Sequence, residues 1–412
     1  MREKGILSTY RGLPKEIYVL FIGRIINCIG SFVHPLMSLI LTKKVGMSAA
    51  EAGMFVTTVA ICQIPALIAG GKLVDNIGRK KVIVIFQTLG AVTLISCGLI
   101  PVSMTTTRLM ILSSVFYSIS SPAYDALNAD LTTPENRKQS YSLIYMGINI
   151  GFSIGPLMAG FLFEKYLPLI FIGDAITTLM ALALIAKFID EEKLKKNKEY
   201  VHEEKEIAVE GSTLAVLMKR PILIVFSLIM FLYQFSYSQM NFTLPIQMTE
   251  LFQGSGAKYF GFLGSLNGVV VIIATPILVT ATKKWSGLKN MTLGGMLYAM
   301  AFTLFALVLK LPVFFIAMIV LTIGEVLISI DSGTFIANNT PLSHRGRISS
   351  ILPLISGAGY SLGPMIMGQI ISNYNIKIAW IITTISVSIG FTGMFILYNI
   401  DKKDNKKIRE NI

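Results

Sequence analysis

Five sets of residues have types and spacings that could do chemistry. Glu325, beside Gly324, is a carboxyl near the middle of an apolar run, with Asp331 six residues on and about 120° around the helix. It lies about twelve residues from either end of that run, roughly 18 Å at 1.5 Å per helical residue. A carboxyl at that depth can take a proton from one side of a bilayer and release it to the other. Arg24 also stands inside an apolar run. A charge there costs roughly 2.5–3.5 kcal/mol unless it is paired or hydrated, and Asp125 is its expected partner. That pair would serve proton coupling or simple structure. Phe231, Gln234, Phe235, Ser238 and Asn241 recur at helical spacing. They form either an aromatic and amide stripe for a substrate cavity or ordinary packing. Gly71, Asp75, Gly78, Arg79 and Lys80 crowd a short polar turn, with Asp130 placed to meet Arg79. Gly71 and Gly78 would permit a tight turn and close backbone approach, and Asp75 would sit against a helix N-terminus. Gly151, Gly155, Pro156 and Gly160 would make a close-packed, bent helix seam. Its expected partner is the small face of Gly261, Gly264 and Gly268. Asp174 and the lone His34 are read as structural. Cys28, Cys62 and Cys97 all fall in apolar runs, which fits neither a disulfide framework nor a zinc site. No metal, cofactor or enzymatic chemistry is expected, and no Gly-x-x-x-x-Gly-Lys-Ser/Thr loop is present for a nucleotide.

The elements that must position these residues follow from composition. The 412 residues are 53% hydrophobic and only 14% charged, with a mean hydropathy of +0.66. Soluble domains carry about 25% charged residues, so a polytopic membrane protein is the remaining class. Twelve apolar runs are long enough to cross roughly 30 Å of hydrocarbon. They cover 17–41, 52–71, 82–101, 109–130, 141–163, 167–188, 221–247, 259–281, 290–309, 312–337, 348–371 and 378–399. With both termini cytoplasmic, 28 of the 36 Lys and Arg fall on the inner side and 7 on the outer side. That bias is the orientation rule of membrane proteins. It accounts for the net charge of +13 without nucleic acid. A secretory signal peptide is not expected.

The polar stretch 190–220 divides the chain into 1–189 and 221–412, six runs each. The halves repeat at an offset of 208. Asn149-Ile-Gly-Phe-Ser-Ile-Gly-Pro156 recurs as Gly357-Ala-Gly-Tyr-Ser-Leu-Gly-Pro364, and Arg137, Gly160 and Tyr166 meet Arg345, Gly368 and Tyr374. A duplicated six-span bundle with a binding site between the copies is transporter architecture.

Gly71-x-Leu-x-Asp-x-x-Gly-Arg-Lys80, between the second and third spans, resembles the signature loop of the major facilitator superfamily. The resemblance implies an all-α membrane protein, twelve transmembrane helices in two pseudo-symmetric six-helix bundles. It also implies that Gly71, Asp75, Gly78, Arg79, Lys80 and Asp130 form a cytoplasmic latch of the outward-facing state. The second copy of the loop, at Lys283, Lys284, Gly287 and Lys289, is degenerate. Gly151-x-x-x-Gly155-Pro156-x-x-x-Gly160 resembles the antiporter motif of the family's drug/proton exporters, and Gly324-Glu325 resembles the lactococcal multidrug/proton antiporters. Ile144 and Asn241 stand where further acids of that pattern are expected.

The expected function is proton-coupled export of hydrophobic or cationic small molecules by alternating access. Glu325, Asp125 and Arg24 would handle the proton. The alternatives are a transporter of a specific metabolite or lipid and a transport-inactive membrane sensor. The expected partners are a small-molecule substrate, protons and the lipid bilayer. A monomer in the cell membrane is expected, multi-pass with both termini cytoplasmic.

Overall fold

A computed structural model describes residues 10–132, 134–190, 220–339 and 345–410. Most of the 190–220 linker lies outside the described residues. In chain order the helices are α1 Lys15–Ile29, α2 Val33–Leu39, α3 Ala49–Ile77, α4 Arg79–Leu99, α5 Met104–Asp130, α6 Pro134–Phe152, α7 Gly155–Leu162 and α8 Leu167–Phe188. The second half continues with α9 Pro221–Tyr237, α10 Thr243–Phe252, α11 Gly256–Ala281, α12 Gly287–Leu307, α13 Leu311–Asn339, α14 Arg345–Asn373 and α15 Ile376–Glu410. In hydrocarbon every backbone N–H and C=O must be satisfied within the chain, which is why apolar runs of this length fold as helices.

Ten helical stretches are long and apolar enough to cross a bilayer. One of them, Pro221–Ala281, runs through α9, α10 and α11. Met104–Asp130 is not among the ten, because Ser113, Ser114, Ser118, Ser120, Ser121 and Asn128 lower its hydropathy. The count of twelve is reached only by dividing the first stretch at Phe252 and adding α5. Outward faces are apolar, as lipid requires: Ile61, Ile64, Leu67 and Ile68 on α3 and Ile381, Ile385 and Ile389 on α15 are exposed.

The described residues fall into two compact units. Residues up to Gly46, those from Thr58 to 190, and Phe252–Val269 make the first; Met47–Thr57, 220 to Leu251, and those from Val270 onward make the second. Inside each unit the helix pairs correspond. The first packs α1 on α6 and α8, and α4 on α5 and α8; the second packs α9 on α14 and α15, and α12 on α13 and α15. The cores differ in composition. The first unit buries aliphatic residues such as Ile17, Leu20, Val82, Ile83 and Leu127. The second buries rings: Trp380 lies 5.8 Å from Phe302 and 5.4 Å from Phe305. Its indole N–H donates to Gln247 Oε1 at 2.8 Å, and Gln247 Nε2 donates to the Phe305 carbonyl at 2.9 Å.

The repeat extends to single contacts. In the second unit Thr57 Oγ1 donates to the Ser361 carbonyl at 2.7 Å. Side chains at Gly53 and Gly368 would collide with the carbonyls of Pro364 and Ala49. In the first unit Ser265 Oγ donates to the Ser153 carbonyl at 2.6 Å. There Gly261 and Gly160 face the carbonyls of Pro156 and Ala257. Each residue in one set lies 208 positions from its counterpart in the other.

Candidate functional site

The polar groups of the first unit converge on a cavity of about 360 Å³ among α1, α2, α3, α4, α5 and α8. Its walls are cut by a break in the first span. α1 ends at Ile29, α2 starts at Val33, and the N–H groups of Phe32 and Val33 both donate to Asp174 Oδ2, at 3.1 and 3.2 Å, that of Phe32 being shared with the Gly30 carbonyl at 2.7 Å. Asp174 is thus structural, as expected, but its role is specific: it caps a helix inside the membrane. It also lines the cavity, as does His34, whose side chain is exposed there.

Arg24 faces this cavity, but Asp125 is not its partner. The guanidinium lies over the Tyr124 ring, 4.4 Å from its centroid. Among the described residues the ion pairs are Lys44–Glu164 and Arg79–Asp130. Neighbouring helix positions point about 100° apart. The face of α5 that offers Tyr124 to α1 therefore turns Asp125 outward, where it is exposed and Tyr141 donates to its backbone carbonyl at 3.3 Å.

At the polar turn, Arg79 Nε comes within 2.8 Å of Asp130 Oδ2, joining the first residue of α4 to the last of α5. Gly78, at φ 96°, makes the whole turn in one residue. Gly71 takes no part in it. α3 runs on to Ile77, and a side chain at Gly71 would meet nothing within 4 Å among the described residues. Lys80 donates to the carbonyls of Ala186 and Ile189 at 2.8 and 2.7 Å, so it caps the C-terminal end of α8. Asp75 lies on α3, and its side chain is outside the described residues. In the second unit the neighbouring helices are joined by a neutral donor instead: Asn290 Nδ2 donates to Asp331 Oδ2 at 2.6 Å.

The antiporter-motif residues divide between two neighbours. Gly151 and Gly155 lie against Cys28 and Ile29 of α1, not against α11 as the sequence suggests. Pro156 and Gly160 do face α11, at Gly261, Gly264 and Ala257. The division arises because the fifth span is broken rather than bent. α6 ends at Phe152, and α7 restarts at Gly155 with Pro156 in its first turn, where the missing N–H costs nothing.

Glu325 sits on α13 in the second unit, half-buried among three tyrosines. The Tyr237 hydroxyl donates to its carboxyl, and Tyr298 and Tyr360 lie within electrostatic reach. Tyr237 and Tyr298 stack with centroids 5.9 Å apart, and Asn241 Nδ2 donates to the Tyr360 hydroxyl at 3.2 Å. Sequence reasoning missed these tyrosines. The signal was there, since a mid-span tyrosine needs a partner for its O–H.

The span 7 stripe is not one face. α9 ends at Tyr237 and a single 3₁₀ turn, Ser238–Met240, follows. A 3₁₀ turn advances 120° per residue rather than 100°, so the spacing is lost there. Phe235 and Ser238 are buried. The α9 backbone at Phe231 and Phe235 and the Ser238 side chain meet Gly359 and Gly363 of α14. Asn241 reaches Tyr360, and Gln234 is half-buried.

The chain matches the Major Facilitator Superfamily over residues 20–330 and 227–411. It is 24% identical over 367 residues to a Na(+), Li(+), K(+)/H(+) antiporter of Planococcus maritimus, covering 81% of this chain and 83% of that one. It is 29% identical over 204 residues to Multidrug resistance protein 1 of Bacillus subtilis, 48% of this chain and 49% of that one. Among solved structures, the nucleoside transporter NupG superposes with a TM-score of 0.75 at 14% identity, covering 93% of this chain and 99% of that one. With a family match across nearly its whole length and two helical units whose contacts repeat at one offset, this chain is a multi-pass membrane transporter of the Major Facilitator Superfamily.

Proposed function

We propose that the chain is a proton-coupled exporter of hydrophobic or cationic small molecules, working by alternating access as a drug:proton antiporter. The observation that carries this reading is Glu325, a mid-span carboxyl on an apolar helix whose neighbours are tyrosines, one of them donating to it. Such a group changes charge by taking or losing one proton, and the aromatic surround limits other ways of compensating it. Export is supported by the broken Gly155-Pro156 helix and by the similarity to a multidrug resistance protein over half the chain. The Arg79–Asp130 contact would act as the cytoplasmic latch, with both termini on that side and the protein a monomer. Glu325, in the second unit, fits a cationic substrate. The first unit's cavity, where Arg24 lacks an ion-pair partner among the described residues and Asp174 is held by backbone N–H groups, fits the opposite sign.

The test is proton movement in everted vesicles energised by respiration. Addition of ethidium or a fluoroquinolone should release protons from vesicles carrying the chain and not from control vesicles. No drug-induced release at any concentration would reject the reading. A second reading, exchange of alkali cations for protons, is favoured by the similarity to the Planococcus antiporter over 81% of the chain. Proton release on adding Na⁺, Li⁺ or K⁺, with none on adding drug, would replace the first reading by the second.

A further inference from the structure

The first unit's cavity is arranged around a cation that the described chain does not neutralise. Arg24 stacks on Tyr124, and neither ion pair among the described residues includes it. The carboxyl in the same wall, Asp174, is held by the N–H groups of Phe32 and Val33. Asp125 is turned away on the exposed face of α5. A guanidinium inside a span is costly unless something hydrates or pairs it. Its planar fork of donors matches a carboxylate in two parallel hydrogen bonds, a geometry that ammonium ions and neutral amides do not reproduce.

The remaining wall is polar without being charged. Asn27 donates to Thr178 at 3.0 Å and Gln87 to Ser120 at 2.7 Å. Both also border the cavity, together with Gln63, Tyr117 and His34. The volume of about 360 Å³ is near the lower end of the roughly 300–1,000 Å³ range of small-molecule sites. We propose that this cavity binds a small organic anion, its carboxylate on Arg24 and its aromatic body against Tyr117 and Tyr124. The proposal deepens the export reading by adding an anionic class of ligand at the first unit's cavity, and it rests on that reading only for the direction of movement.

The experiment is ligand binding by the purified full-length protein in detergent at pH 7.5, without any gradient. The probes are benzoate, 1-naphthoate and indole-3-acetate, each beside its amide and its amine counterpart. At least one carboxylate should raise the apparent melting temperature and bind at least tenfold more tightly than its amide and its amine. Arg24→Gln should abolish that preference, and Arg24→Lys should keep part of it. If Arg24→Gln yields no folded protein, Tyr124→Leu takes its place. It removes the ring that holds the guanidinium and should weaken carboxylate binding severalfold. The proposal is overturned if no carboxylate binds better than its amide, if the amines bind as well, or if the preference survives both variants. Carboxylate binding by a protein that moves no protons would reject the export reading and leave this one standing.

Discussion

In the first unit the span 15–39 breaks after Ile29 and resumes at Val33; in the second the span 221–252 breaks after Tyr237 and resumes at Thr243. Gly30 and Ser238, the first residues of the two breaks, are 208 positions apart. The same interruption is held by different chemistry. At the first break a buried carboxylate, Asp174, receives two backbone N–H groups. At the second, Ser238 Oγ and Gln239 Nε2 donate to the Phe235 carbonyl at 2.7 and 3.1 Å, and Thr243 Oγ1 donates to Gln239 Oε1 at 2.7 Å. The position matching Asp174 is Ile382, and the position matching Glu325 is Tyr117. Duplication therefore supplied two copies of one backbone and left the charges unduplicated. One unit carries a cation and a capping carboxylate around a polar cavity; the other carries a single carboxyl among tyrosines. A molecule of this kind can separate ligand recognition from proton handling, because the two halves present unlike groups at like places.

The largest expected effect comes from removing the charged cap. Asp174→Leu leaves the buried Val33 N–H without an acceptor and the Phe32 N–H with only the Gly30 carbonyl, about 1–3 kcal/mol for the orphaned group. It should lower the apparent melting temperature far more than Ser238→Ala, which removes one donor of two to the same carbonyl. Asp174→Asn retains an acceptor oxygen and should fall between them. Equal losses for Asp174→Leu and Ser238→Ala would show that the two breaks are held alike.

Next is the contact of each broken span with its glycine-bearing neighbour. A side chain at Gly155 meets the carbonyls of Cys28 and Ile29, whereas one at Gly363 first meets the Ser238 hydroxyl. Backbone cannot be trimmed and a side chain can. Gly155→Ala should cost about 1–3 kcal/mol by overpacking, and Cys28→Ala should not restore it. Gly363→Ala should be restored, at least in part, by Ser238→Gly. Melting temperatures of the four single and two double variants decide this, and rescue of Gly155→Ala by Cys28→Ala would contradict it.

The smallest difference is expected at the matched hydroxyls. Ser265→Ala and Thr57→Ala each remove one interhelical hydrogen bond, worth about 0.6–1.7 kcal/mol in membrane proteins. Ser153 lies in the break between α6 and α7, while Ser361 lies within the continuous α14. The Ser265 variant should therefore lose more stability than the Thr57 variant. The reverse order would mean that the broken helix gains no special support from α11.

The apolar runs, the repeat at 208 and the approach of Arg79 to Asp130 could be read from the sequence. Each depends on patterns local to a span or on residues at the very ends of helices. The breaks at Gly30 and Ser238 could not, because the apolar pattern runs through them unchanged. The sequence points Arg24 at Asp125 rather than Tyr124 because one residue on a helix is a rotation of about 100°, and sequence alone does not give that phase. The cap by Asp174 joins residues more than 140 positions apart, a contact that no spacing announces. The span 7 stripe failed for a related reason: its spacing assumes one uninterrupted α-helix, and the turn at Ser238–Met240 breaks that assumption.

The proton-carrying role proposed for Glu325 is tested most directly by substituting it without removing its hydrogen-bond capacity. Wild-type chain and Glu325→Gln are reconstituted in vesicles, and two transport modes are measured with one substrate, normalised to protein amount. In the first mode an imposed proton gradient drives uphill substrate movement. In the second, substrate exchanges with substrate at equal pH on both sides. Glu325→Gln should keep substrate exchange near the wild-type rate and lose gradient-driven accumulation. Gradient-driven accumulation by Glu325→Gln equal to that of the wild type would contradict the proposed role.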